Sequence, residues 1–471
     1  LLAGEPVGLS IEAAEPDCGW LRGAPFLQSP VTPPHPSLVE GEGWGGGEAR
    51  PRVFVTDRNV APGLHTLVLH PATLVLGVGC ERLAPPEELI ELARRCLEEA
   101  GLAPRSVACV ASIALKAAEP AVHALAAELG VPARFFDAET LEAEVPRLAN
   151  PSDLVFRETG CHGVAEGAAL AAVGPAGALV LPKRRSERTT CAIARSPRIV
   201  DPATVGRARG RLAIVGIGPG EADGRTAAAD AALRAATDLV GYRLYLDLLG
   251  DAARGKALHG YELGEETARV RAALDLAAEG RAVALVSSGD AGIYAMASLV
   301  FELIERGGRP DWERIEILGV PGISGMQAAA ARLGAPLGHD FCAISLSDLL
   351  TPWPVIERRL RAAAEGDFVV ALYNPVSQRR RSQLVAARDI LLAKRPPETP
   401  VALARNLGRA GERVTVTTLG ALDPSQVDML TVVLIGSTAT RTVPRPDGGA
   451  WVYTPRGYER KSGERKNGEG T

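Results

Sequence analysis

The stretches of this chain that could do chemistry are places where a short apolar strand breaks into glycine and a polar side chain. The fullest is Ala282-Val-Ala-Leu-Val-Ser-Ser-Gly-Asp290, with Ile293 one turn further on. Gly289 permits φ > 0 and lets backbone come close to a ligand. Ser288 and Asp290 stand at the strand end, where a carboxylate accepts hydrogen bonds from a ribose hydroxyl or an amine; Asp290 reads as well as a helix N-cap. Leu212-Ala-Ile-Val-Gly-Ile-Gly-Pro-Gly220 repeats the pattern, with Gly218, Pro219 and Gly220 in the turn. So does Ile315-Glu-Ile-Leu-Gly-Val-Pro-Gly-Ile-Ser-Gly325, where Ser324 either caps the next helix or touches ligand. Asp367-Phe-Val-Val-Ala-Leu-Tyr-Asn-Pro375 brings Tyr373 and Asn374 to the carboxyl end of a strand, the edge at which open α/β sheets bind ligands. Two further strand segments add Asn406 and Thr431. Gly216, Gly218 and Gly220 alternate, whereas the dinucleotide fingerprint is G-x-G-x-x-G, so a nicotinamide oxidoreductase fits poorly.

The elements that must position these turns are those of an α/β protein. At 471 residues two to four domains are expected, and 46% hydrophobic content with 4% aromatic supports alanine- and valine-rich cores. A formal net charge of −4 argues against a nucleic-acid binder driven by bulk charge. Seven scattered cysteines contain no C-x-x-C pair, so neither a metal or iron–sulfur site nor a disulfide framework is expected. No apolar run reaches the roughly 20 residues of a membrane span, and no signal peptide is evident, which points to the cytoplasm. The chain opens Leu-Leu-Ala-Gly, without Met, and reads as a piece of a longer product. Residues 1–69 read as irregular, apart from short strands at 52–56 and 67–70. Residues 70–195 alternate strand and helix, which implies a parallel, helix-covered sheet. Residues 196–210 read as a linker, 211–458 as a second α/β region divided near 335, and 459–471 as a disordered tail.

Taken together and in this order, the second region's turns resemble the tetrapyrrole methyltransferases, which use S-adenosylmethionine. Ser287-Ser-Gly-Asp-Ala-Gly-Ile-Tyr-Ala-Met296, Gly334-Ala-Pro-Leu-Gly-His-Asp-Phe341, Ile344-Ser-Leu-Ser-Asp-Leu-Leu-Thr-Pro-Trp353, Leu372-Tyr-Asn-Pro375 and Thr454-Pro-Arg-Gly-Tyr458 are similar to the branch that methylates C17 of precorrin-3B. Ile435-Gly-Ser-Thr-Ala-Thr440 departs from it, with Ser437 where that family carries Asn. The first region, through Leu76-Gly-Val-Gly-Cys80, Ser112-Ile-Ala-Leu-Lys-Ala-Ala-Glu119, Thr159 to Leu170 and Thr189 to Ala194, resembles the C-terminal part of the CbiG hydrolases and their short relative CobE. Residues 1–69 look like the middle of CbiG.

The resemblance implies an α/β sandwich followed by a two-subdomain class III methyltransferase. It implies C17 methylation with ring contraction of precorrin-3B or cobalt-precorrin-3, a homodimer, and no nucleic-acid or membrane partner. S-adenosylmethionine would be held by Gly218, Pro219, Gly220, Ser288, Gly289, Asp290, Ile293, Ser324, Gly325 and Tyr373, with Asn374, Asn406 and Thr431. Arg379, Arg380 and Arg381 would pair with substrate carboxylates or else form a solvated helix start. The acid–base candidates for ring contraction are His339, Asp340, Ser347 and Asp348, with His339 foremost because imidazole titrates near neutrality. The hydrolase-like part would open a lactone, with Glu119 or Glu166 activating water beside Lys116 and His162; Glu166 reads as well as a helix cap or ion-pair partner. The alternative is a single active methyltransferase whose first half only binds tetrapyrrole.

Overall fold

The computed structural model describes residues 7–13, 27–28, 52–377 and 380–458. The tail expected to be disordered lies outside them. The chain divides into two compact units, residues 1–211 with 277–281 and 310–316, and the remainder to 471. Among the described residues no helix is long and apolar enough to cross a membrane.

The first unit is built on a five-stranded sheet, β7-β6-β5-β9-β8. Its members are β5 (Leu74–Cys80), β6 (Val107–Ile113), β7 (Ala133–Phe136), β8 (Ala178–Arg185) and β9 (Thr189–Arg195). β5 runs parallel to β6 and antiparallel to β9. β5 and β6 are nearly continuous apolar runs because helices cover both faces. Leu74, Leu76 and Val78 share a core with the helices Pro86–Glu99 and Pro120–Leu129. Val75 turns to the other face, with Ala168, Ala169 and Ala172 of the helix Val164–Val173. A Cβ on Gly77 would stand 1.9 Å from the Ala165 carbonyl oxygen, so the glycine in this strand and the alanines of that helix are one close-packed contact.

The strands expected at 52–56 and 67–70 appear as β3 (Arg52–Val55) and β4 (Thr66–Leu69); β1 (Val7–Ile11) and β2 (Leu27–Gln28), in a stretch read as irregular, join them in a parallel sheet of order β2-β1-β3-β4. Residues 196–210, read as a linker, belong to the first unit. Phe135 and Arg207 form a β-bridge, and Arg134 Nε donates to the Val205 carbonyl at 2.6 Å, which stitches the segment to the edge strand β7.

The second unit holds two five-stranded sheets. One has the order β12-β11-β13-β10-β14, from β10 (Arg211–Gly216), β11 (Asp238–Tyr242), β12 (Ala257–Tyr261), β13 (Ala282–Ser287) and β14 (Glu316–Val320). The other is mixed, β16-β17-β20-β18-β19, from β16 (Phe341–Ser345), β17 (Val369–Tyr373), β18 (Pro400–Arg405), β19 (Arg413–Thr418) and β20 (Thr431–Ile435). β16 and β17 are parallel, while β20 is antiparallel to β17 and β18. The short strands β15 (Gly334–Ala335), β21 (Arg441–Pro444) and β22 (Ala450–Tyr453) make a third sheet.

Candidate functional site

Three of the glycine turns fold onto one another at the carboxyl ends of β10, β13 and β14. Gly218 and Gly289 form a two-bond bridge, N–H to carbonyl at 3.1 and 2.7 Å, with φ of +77° and +66°. Gly216 and Gly322 pack against this bridge; a Cβ on Gly322 would stand 2.1 Å from the Gly289 carbonyl oxygen. Asp290 ties the turns together. Its carboxylate accepts from the Gly292 N–H at 2.7 Å and the Gly322 N–H at 3.2 Å. Ser324 is the N-cap of the helix Gly325–Leu333, in a full capping box with Gln327: its hydroxyl oxygen accepts from the Gln327 N–H.

These turns line a cleft of about 360 Å³. Of the residues expected to hold a cofactor, Pro219, Ser288, Gly289, Asp290, Ile293, Ser324, Gly325, Tyr373, Asn374, Asn406 and Thr431 all line it, while Gly218 and Gly220 stand behind the lining. Tyr373, at the end of β17, accepts from the Met326 N–H at 3.0 Å through its hydroxyl. The Thr431 hydroxyl donates to Asp428 at 2.7 Å. Tyr294, Asn374 and Asn406 hold φ of +52°, +48° and +52°, a left-handed region that side-chain-bearing residues rarely adopt. Strained backbone of this kind persists only where the surroundings fix it, and it gathers at binding sites.

The cleft also contains residues not expected to form the site, among them Tyr245, Glu266, Arg269, Ser287 and Arg409. Arg409 donates to the Pro219 carbonyl at 3.0 Å and to the Ser288 hydroxyl at 2.7 Å, and its guanidinium lies 5.8 Å from the centre of the Tyr245 ring. It sits three residues after Asn406, inside a stretch singled out for its strand end.

The acid–base candidates separate by strand polarity. His339 and Asp340 precede β16, whereas Tyr373 ends its parallel neighbour β17. Five residues of strand put these ends roughly 16 Å apart. The Asp340 N–H donates to His339 Nδ1 at 2.8 Å, and neither residue lines the cleft. Ser347 and Asp348 follow β16, at the end paired with Tyr373 of β17, and they do not line the cleft either. Arg380 is used internally: it donates to the Leu346 and Asn374 carbonyls at 2.6 and 2.7 Å, 3.6 Å from Asp348. These bonds tie the segment after β16 to the segment after β17. Arg381 precedes the helix Ser382–Leu392, and Arg379 lies outside the described residues.

In the first unit, Glu166 is almost fully buried and saturated. It accepts from the N–H groups of Ala149, Asn150 and Lys183 and from the Asn150 amide, all at 2.8–2.9 Å. Burial raises its pKa, but these four bonds outweigh that and hold the carboxyl below its ordinary value. A carboxylate so occupied is a structural clamp and has no lone pair free to activate water. Glu119 is less committed, with one bond from Leu83 N–H at 2.9 Å and one from Lys116 Nζ at 3.2 Å. Cys80 stands near this pair, its thiol pushed up to about 11 chiefly by burial. His162 is held by Glu142 at 2.8 Å and stacked on Phe156. Among the described residues no cluster of side chains could hold a metal ion.

Comparison with known proteins covers both units. The family model described as tetrapyrrole (corrin/porphyrin) methylases matches residues 211–423, and the one described as cobalamin synthesis G C-terminus matches residues 74–194. The chain is 47% identical over 252 residues to a precorrin-3B C(17)-methyltransferase of Sinorhizobium sp, covering 53% of this chain and 97% of that one. It is 45% identical over 247 residues to a probable cobalt-factor III C(17)-methyltransferase of Salmonella typhimurium strain LT2, covering 52% of this chain and 99% of that one. A solved structure of the methyltransferase CobJ is similar at 45% identity, with 52% of this chain and 100% of that chain covered and a TM-score of 0.49.

Proposed function

We propose, from the premise that the chain belongs to the tetrapyrrole (corrin/porphyrin) methylases, that its second region methylates C17 of a corrin precursor. The substrate is precorrin-3B or its cobalt-bearing counterpart, the methyl donor is S-adenosylmethionine, and methylation is coupled to ring contraction. The observation that carries this reading is the convergence of Pro219, Ser288-Gly-Asp290, Ser324-Gly325 and Tyr373 on one cleft. The cleft fits such a cofactor: Gly289 and Gly325 bring backbone to its lining, and the Ser287 hydroxyl there is buried without a partner. A bound sulfonium supplies an already activated methyl group. The protein then has to hold methyl and acceptor carbon in line and exclude water, which requires no nucleophilic side chain. The turns around Gly218 and Gly289 offer backbone groups to the cofactor, Asp290 and Arg409 fix those turns, and Tyr373 closes the far wall. Ser347 and Asp348, at the cleft's end of β16, stand ahead of His339 and Asp340 for proton transfer during ring contraction. The family likeness also favours a homodimer in the cytoplasm.

The test is incubation of the protein with S-adenosylmethionine and either precorrin-3B or cobalt-precorrin-3, followed by mass and absorbance. One added methyl group on a ring-contracted product is expected. No methylation of either substrate by the folded protein removes the assignment.

For the first unit, the saturation of Glu166 favours the second reading, a module that binds tetrapyrrole without turning it over. Glu119 is the carboxylate left with open lone pairs. Lactone opening by the wild type that disappears in Glu119→Gln, with folding intact, is the outcome that restores a hydrolase. Tetrapyrrole binding without lactone opening is the outcome expected here.

A further inference from the structure

One charged residue of the cleft is poorly satisfied by the protein itself. Arg269, in the helix Glu266–Ala278, is 3% exposed. Its Nε has no hydrogen-bond partner, its Nη2 reaches the Glu262 carbonyl only at 3.3 Å, and its ion pair with Glu266 spans 3.8 Å. A guanidinium carries five donors in a rigid fork. Removing it from water costs several kcal/mol unless an anion answers it in good geometry, and Glu266 does so only loosely, one of its oxygens already accepting from Gly264 at 3.1 Å. Arg409, beside Tyr245 in the same lining, spends its bonds on neutral acceptors, the Pro219 carbonyl and the Ser288 hydroxyl. Both guanidiniums act on the buried Tyr245 hydroxyl: burial raises its pKa and they pull it back. The lining therefore carries two guanidiniums and two carboxylates, of which Glu266 stands beside Arg269 and Asp290 is held by the Gly292 and Gly322 N–H groups. The Ser287 hydroxyl, buried and without a partner, supplies a further open donor in the same cleft.

We propose that Arg269 is a carboxylate-binding residue of the cleft, which receives one acid group of the bound ligand and completes a fork that the protein leaves open. The inference rests on the methyltransferase reading and deepens it. Two sources carry the same chemistry, the amino-acid carboxylate of the cofactor and a peripheral acid side chain of the tetrapyrrole. Arg–carboxylate pairing in two parallel bonds is the geometry the fork favours.

The test is calorimetric and uses the full chain. In the cofactor arm, wild type, Arg269→Gln and Arg269→Lys are titrated with S-adenosylhomocysteine and with its decarboxylated analogue. In the tetrapyrrole arm they are titrated with cobyrinic acid and with its fully amidated form. The expected result is at least tenfold tighter binding of the acid-bearing ligand by the wild type in one arm. Arg269→Gln loses that preference, and Arg269→Lys keeps part of it. The arm that shows it identifies the source of the carboxylate. Equal binding of acid-bearing and acid-free forms by the wild type in both arms overturns the proposal, as does a preference that survives intact in Arg269→Gln. If Arg269→Gln does not fold, the wild-type comparison and the lysine variant decide. Failure of the wild type to bind S-adenosylhomocysteine or cobyrinic acid at all removes the methyltransferase reading, and this inference with it; binding without preference removes the inference alone.

Discussion

Gly322→Ala is expected to weaken binding of S-adenosylhomocysteine at least about tenfold and to destabilise the second unit by roughly 3 kcal/mol. The added Cβ would stand 2.1 Å from the Gly289 carbonyl oxygen and 2.6 Å from the Gly216 carbonyl oxygen. Both are backbone atoms, so no rotamer change relieves the clash and the turns must move apart. Gly289 is bonded to Gly218 in both directions, and the Gly322 N–H is bonded to Asp290. The displacement therefore passes directly to Ser288, Gly289 and Asp290, which line the cleft. Asp290→Ala makes a milder control. It removes the bonds to Gly292 and Gly322 but adds no clash, so affinity should fall less and the thermal midpoint should fall less. Titration calorimetry and thermal unfolding of both variants check this. A Gly322→Ala protein with wild-type affinity and midpoint would show that the three turns do not form one wall.

The turns were legible in the sequence because glycine is required where backbone meets backbone, and because a strand end is marked by the break in its apolar run. Strand polarity then decides which neighbouring polar residues matter. His339 and Asp340 stand within a motif, but they precede β16, and the cleft lies where β16 and β17 end. Applied strictly, the carboxyl-edge rule separates them from Ser347 and Asp348, which follow β16. Of the three arginines after Tyr373-Asn-Pro375, Arg380 also shapes the loops beside the cleft, through its bonds to the Leu346 and Asn374 carbonyls. Arg269 had the opposite disguise. A charged residue in a helix with acidic neighbours reads as a solvated face, and only the packing shows that it is buried. In the first unit, the helix and strand alternation from 74 to 173 was readable from apolar periodicity. β9 was missed as an element because Thr189-Thr-Cys-Ala-Ile-Ala194 pairs antiparallel within a sheet otherwise read as parallel. β1 was missed because Val7-Gly-Leu-Ser-Ile11 breaks its apolar run with Gly8 and Ser10, whereas Arg52-Val-Phe-Val55 keeps three apolar residues together.

Glu166→Gln should destabilise the first unit by roughly 3 kcal/mol while leaving methylation by the second region unchanged. The buried carboxylate accepts four hydrogen bonds, and all four donors belong to Ala149, Asn150 and Lys183. A glutamine keeps one oxygen but turns an NH2 group toward N–H donors, so donor faces donor in a site closed to water. The same geometry fixes a pH dependence. The bonds hold the folded-state pKa below the ordinary value, so the unfolded chain binds a proton first as pH falls. The stabilisation is therefore complete above the ordinary glutamate pKa, about 4.3, and is lost as pH falls through the lower folded-state value. In wild type, chemical unfolding of the first unit should show this acid limb. In Glu166→Gln the limb should be shallower and the unit less stable at neutral pH. A variant as stable as wild type at pH 7 that has nevertheless lost a lactone-opening activity would make Glu166 a catalytic base. The four bonds argue for the other result, because a base must give up an acceptor position to the proton it removes and this carboxylate has none to spare.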